Sequence, residues 1–105
     1  MNKVVYNGCY GGFSLSEEAA KMFNERKGLK KGDEMWINPR YGYYEVPRHD
    51  KDLVAVVEEL GLKKASGRYA DLRITEVGNK YRIDEYDGWE SVVEPEYEEY
   101  VCIED

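Results

Sequence analysis

Apolar and polar positions change period several times along the chain, and each change predicts an element. Residues 3–6 are a short β-prone run, read as a first strand. Asn7, Gly8, Gly11 and Gly12 then break the pattern into a loop. From there Leu15, Ala19, Met22 and Phe23 recur at helical spacing and share one face. Ser14, followed three residues later by Glu17, reads as a capping box for that helix, and Gly28 as its C-terminal glycine. Residues 35–38 and 41–46 are short strand candidates, stopped by Pro39 and Pro47. Asp50 is an N-cap for a second helix whose apolar stripe is Leu53, Val54, Val57 and Leu60, closed by Gly61. Residues 62–68 read as a loop.

Beyond residue 70 the period drops to two. Ala70, Leu72 and Ile74 alternate with Asp71, Arg73 and Thr75, and Tyr81, Ile83 and Glu85 with Arg82, Asp84 and Tyr86. Gly78–Asn79 and Asp87–Gly88 are two-residue hairpin signals, and Trp89, Ser91 and Val93 follow on one face. The predicted fold is α+β: two helices packed on a mainly antiparallel sheet of about four to five strands, a two-layer sandwich. The 105 residues form one domain, 1–105, with 95–105 an edge strand or a loose acidic tail.

Charge alters this picture more than composition does. The net charge is −7, and it is unevenly placed. Residues 84–105 carry 10 acidic side chains and no Lys or Arg, while residues 1–83 carry all 15 basic ones against 12 acids. That balance disfavours direct nucleic-acid binding, which needs Lys and Arg to displace counterions. No apolar run approaches the ~20 residues of a membrane helix, and no secretory apolar segment is visible at the N-terminus. The expectation is a cytoplasmic protein, without membrane contact. Cys9 and Cys102 are too few for a disulfide framework.

Several side chains are candidates for chemistry. Cys9 with His49, the single histidine, is a possible nucleophile and base. The competing reading is a small buried thiol and an unrelated loop imidazole, and the expectation is no enzyme, no catalytic residue and no cofactor. Glu85, Asp87 and Glu90 around a tight turn are the residue types that hold a hard cation. However, Asp before Gly serves the turn itself, and no metal site is assigned.

The segment Tyr10, Gly11, Gly12, Phe13, Ser14 has a different use. Glycines allow close approach of a ligand, and the amides opening a helix stabilise an anion. The competing reading is structural, with the glycines shaping the turn and Phe13 packing before the cap. Arg40 lies among Trp36, Tyr41, Tyr43 and Tyr44, and arginine with aromatics grips phosphate and base together. Arg48 completes the set, against a competing surface ion pair with Asp50 or Asp52. A second constellation is acidic. Asp84, Glu85, Asp87, Glu90 and Glu94, interleaved with Tyr86, Tyr97 and Tyr100, can imitate a phosphate backbone and occupy a basic protein surface.

YGGFSLSEEA at 10–19, VPRHDKDLVAVVEELG at 46–61 and IDEYDGWESV at 83–92 together resemble a family of small bacteriophage proteins. In that family an aromatic-Gly-Gly-Phe loop feeds the first helix, an Arg-x-Asp precedes the second, and a Glu-Tyr-Asp-Gly turn falls near the C-terminus. Residues 29–45 and the Glu-rich tail depart from it. The resemblance implies an accessory viral protein that counters host defence. The leading expectation is a non-enzymatic protein that sequesters a small anionic nucleotide signal at Tyr10–Gly11–Gly12–Phe13–Ser14, Arg40 and Arg48, as a homo-oligomer that completes a shallow pocket. The alternative is an inhibitor whose acidic C-terminal hairpin blocks a basic host effector, nucleic-acid-binding effectors included.

Overall fold

The computed structural model describes residues 2–40 and 46–94 in full and Val101–Cys102 as backbone. The order is β1 (Asn2–Asn7), α1 (Glu17–Lys27), α2 (Lys51–Leu60), α3 (Leu62–Ala65), β2 (Leu72–Val77), β3 (Lys80–Tyr86), β4 (Trp89–Val93) and β5 (Val101–Cys102). The class is α+β, as the two periods require.

The helices begin and end where local chemistry dictates. Asp50 accepts from the amides of Asp52 and Leu53, and Gly28 takes the left-handed conformation (φ 68°) that closes α1. The start of α1 is two residues later than the sequence suggested. Ser16, not Ser14, accepts from the Ala19 amide. The reason is tertiary: Leu15 bridges to Ser66, and the Ser16 amide donates to Ala65. Residues 14–16 are therefore held extended and cannot enter the helix. The expected loop after Gly61 contains a further short helix, α3.

The strands form two sheets rather than one. β1 pairs antiparallel with β2, from Asn2↔Val77 to Asn7↔Leu72. β3 lies between β4 and β5 in a second antiparallel sheet. The expected Gly78–Asn79 hairpin is absent as a pairing, because Gly78 is claimed from outside. Its amide donates to Glu94 and its carbonyl accepts from the Asn2 side chain. The chain thus steps from one sheet to the other. The Asp87–Gly88 hairpin forms as expected, with both residues at positive φ (51° and 92°).

β1 is buried on both faces, so a single alternation does not describe it. Val5 and Leu72 join Phe23, Leu53, Val56 and Val57 in the core beneath the helices. Val4 and Val77, on the reverse face, pack with Tyr81 and the partly buried Ile83 and Val92 of the second sheet. Residues 35–38 are not a strand. Buried Asn24 clamps the backbone of Ile37 there, donating to its carbonyl (2.7 Å) and accepting from its amide (2.9 Å). Of the strand candidate at 41–46, only Val46 lies within the described residues, and it is buried. No described helix is long and apolar enough to cross a membrane.

The end of α1 and the start of α2 are tied by charge. Lys27 reaches Asp50 and Asp52 (2.9 Å each), and Arg26 reaches Asp52 and Glu59. The hydrogen bond from Lys27 holds the Asp52 carboxyl below the usual carboxylate range, against a smaller opposing effect of burial. A depressed carboxylate contributes stability above its unfolded pKa of about 3.9 and loses it as pH falls through the lower folded value. Urea unfolding below pH 4 is therefore expected to be less steeply pH-dependent in Lys27→Met than in the wild type. Identical acid limbs would contradict this assignment.

Candidate functional site

Two residues assigned by sequence to different sites meet in one ion pair. Arg48, just before α2, places both terminal nitrogens on the Glu90 carboxylate of β4, at 2.5 and 2.8 Å. Glu90 is 6% exposed. The Arg48 guanidinium also lies over the Phe13 ring, 3.6 Å from its centroid. A bidentate pair with a stacked face is the geometry arginine is built for. Arg48 therefore joins the loop, the approach to α2 and the C-terminal hairpin.

Asn7, fully buried at the end of β1, completes this junction. Its amide donates to Glu90 Oε1 (2.9 Å). Its side-chain nitrogen donates to the carbonyls of Cys9 and Gly88, and its side-chain oxygen accepts from the Asp71 amide (2.7 Å). The Cys9 thiol also points to that oxygen and to the Tyr69 carbonyl. One asparagine thus spends its full bonding capacity fixing three chain segments. The glycines fit tightly into the same junction. A Cβ on Gly11 would sit 1.7 Å from the Tyr69 carbonyl oxygen, and one on Gly88 2.4 Å from that of Tyr10. Both positions require the bare backbone.

The remaining predicted residues fall as follows. Tyr10 projects outward and meets Trp89 edge-on, with centroids 4.9 Å apart. Gly12 turns at φ 87°. Ser14 packs by its hydroxyl against Gly67, and its carbonyl accepts the Gly67 amide. The first turn of α1 carries Glu17 and Glu18, which already complement the helix N-terminus. Arg40 is exposed on a turn, with its amide on Asn38 Oδ1. Tyr41, Tyr43, Tyr44, Tyr97 and Tyr100 lie outside the described residues. Among the acids, Asp84 pairs with Arg82 (2.6 Å), Glu85 accepts from the Gly88 amide, and Glu94 holds Gly78. Asp87 is exposed at the turn.

Cys9 and His49 have separate partners. His49 Nδ1 lies 2.7 Å from the Tyr81 hydroxyl, at the edge of an apolar cavity of about 480 Å³ bounded by Val46, Pro47 and Ile83. Burial raises the Tyr81 pKa, with the Arg48 charge pulling the other way.

The hairpin tip and its neighbouring loop share an exposed aromatic surface. Tyr86 and Trp89 are cross-strand partners directly opposite each other, so their side chains leave the same face. They are 77% and 42% exposed, and Tyr10, against Trp89, is 62% exposed. Tyr69, exposed as well, follows across Gly11. Sequence reading named Tyr10 and Tyr86 for different sites but missed that they meet at Trp89, and it missed the partner of Glu90. The signal for the latter was present: with Trp89, Ser91 and Val93 on the outer face, Glu90 takes an inward position beside Val92, where a carboxylate must find a cation.

No family model, curated protein or solved structure matches this chain.

Removing one partner of a buried ion pair strands the other and costs about 3–5 kcal/mol. Arg48→Met is expected to fall in that range by urea unfolding. Arg48→Met/Glu90→Gln, which keeps an acceptor for the Asn7 amide, is expected to recover part of it. Additive losses would show that the two residues are not coupled.

Proposed function

We propose that the chain is a non-enzymatic binding protein that docks onto a basic surface of a partner protein through the β3–β4 hairpin tip and the adjoining loop. The observation that carries this reading is the exposed Tyr10–Trp89–Tyr86 cluster mounted on a fixed base. Large aromatics left in solvent on a monomeric surface mark an interaction site when they are contiguous. Trp and Tyr are also the residues that dominate binding energy at protein interfaces. The base beneath them has already spent its ordering entropy, since Asn7, Glu90 and Arg48 hold loop and hairpin together before any partner arrives.

Charge supports the choice of partner. Glu85 and Asp87 lie exposed at the tip beside the Asp84–Arg82 pair, so the rim is net acidic. A basic surface is the complement, and steering by these charges weakens as salt rises. Glu90 takes no part in that rim, because it is buried on Arg48, and Glu94 lies away from the tip, where it holds Gly78. In an accessory phage protein, as the resemblance implies, the partner is a host effector in the host-cell cytoplasm.

Sequestration of a small anionic nucleotide at the loop with Arg48 has less support. The cation it depends on is already neutralised by Glu90, and the adjacent helix start is lined with Glu17 and Glu18.

Affinity capture from phage-infected cell lysate tests the proposal, using wild type, Tyr10→Ala/Trp89→Ala and Lys63→Ala/Arg68→Ala. The aromatic variant is expected to lose capture by at least about 30-fold, as for interface anchors worth 2 kcal/mol or more. The lysine–arginine variant is expected to keep it. Capture that is equal for wild type and the aromatic variant would sink the proposal.

A further inference from the structure

A second surface carries the opposite charge. An open cavity of about 890 Å³ lies between α3, the loop at 66–70 and the outer edge of β2. Lys63, Arg68 and Arg73 line it, against a single carboxylate, Asp71. The wall therefore has a formal excess of two positive charges on a protein whose net charge is −7. Lys63 and Arg68 have no ion-pair partner among the described residues. Arg73 is held in place: Nη2 bonds Asp71 at 3.0 Å, and its Nε lies where a Cβ on Gly8 would sit 2.4 Å away. Asp71 is in turn anchored by its backbone, its amide on Asn7 and its carbonyl on the Gly8 amide. The remaining lining is of another kind. Tyr6, cross-strand partner of Arg73, presents a half-buried aromatic ring beside that guanidinium, and Leu62 and Ile74 add apolar surface.

We infer that this cavity binds a nucleoside phosphate, with phosphate oxygens held by Lys63, Arg68 and Arg73 and the base against Tyr6 and its apolar neighbours. Cations gathered in a concave, partly apolar wall are the chemistry that phosphate recognition uses, arginine for its fork and lysine as a point charge. The volume is within the range of small-molecule sites, about 300–1,000 Å³. An aromatic ring beside a cation accepts a stacked base as well as a phosphate. Small-anion chemistry, expected from the sequence at the loop and Arg48, is thus met at a different place by Lys63 and Arg68, which carry no ion pair among the described residues, beside Arg73 on its Asp71. Arg68 lies over the ring of Tyr69, 5.4 Å from its centroid, so the site adjoins the hairpin surface there; it shares none of Tyr10, Tyr86 and Trp89 and does not rest on the docking proposal.

Isothermal titration with ADP, adenosine and inorganic pyrophosphate as probes tests the inference on the intact chain. ADP is expected to bind, and to bind more tightly than either pyrophosphate or adenosine. Lys63→Ala/Arg68→Ala is expected to weaken ADP at least about tenfold, as lost charge-assisted bonds require. Both side chains are exposed, so an unchanged melting temperature will show that the variant is folded. The inference is overturned if ADP gives no heat at millimolar concentration, if its affinity survives the double substitution in a folded variant, or if pyrophosphate binds as tightly as ADP.

Discussion

A buried carboxylate with a guanidinium on it organises this molecule. Glu90 stands at an inward position of β4, where an unpaired charge would be expelled. Arg48 answers it from a segment more than forty residues earlier, and Phe13 covers the guanidinium face. Three stretches remote in sequence are thereby held at one point, and the two sheets are joined where their hydrogen-bond ladders do not meet. Such a pair adds little net stability over a well-packed apolar contact, but it is costly to break, so it selects one arrangement of the chain. Asn7 reads that arrangement from the other side, since its bonds are satisfied only when Glu90, Gly88 and Asp71 are all in place.

Features set by neighbours in sequence were legible in it. Asp50 caps α2, Gly28 closes α1, and Asp87–Gly88 turns the hairpin because each acts within a few residues. Features set by distant partners were not. Ser14 lost the helix start to Ser16 because Leu15 bridges to Ser66. Gly78–Asn79 failed to pair β2 with β3 because Asn2 and Glu94 took its backbone groups. Arg48 looked like a loose cation for a ligand because its true partner, Glu90, was read as a surface acid of the hairpin. The basic pocket was split in sequence between α3, a loop and β2, and no spacing rule joins Lys63 to Arg73.

The sorting of charge also proved finer than sequence shows. The acidic C-terminal segment does not form one uniform face. Glu90 turns in to neutralise Arg48, Glu94 holds a backbone amide, and Asp84, Glu85 and Asp87 stay outside around aromatic side chains. On the basic side, Arg26 and Lys27 serve the junction of two helices, whereas Lys63 and Arg68 remain available around a hollow. What the fold leaves unsatisfied is aromatic surface at the hairpin tip and cations at the β2 edge, and the proposals rest on these.

The Asn7 amide reports most directly on the organising contact, because its hydrogen bond goes to the Glu90 side chain and to no strand. Native-state hydrogen exchange of that single amide measures whether the carboxylate keeps its seat. The account predicts that it exchanges only with global unfolding in the wild type and far faster in Arg48→Met. An Asn7 amide that exchanges in the wild type as fast as those of exposed loops would contradict it.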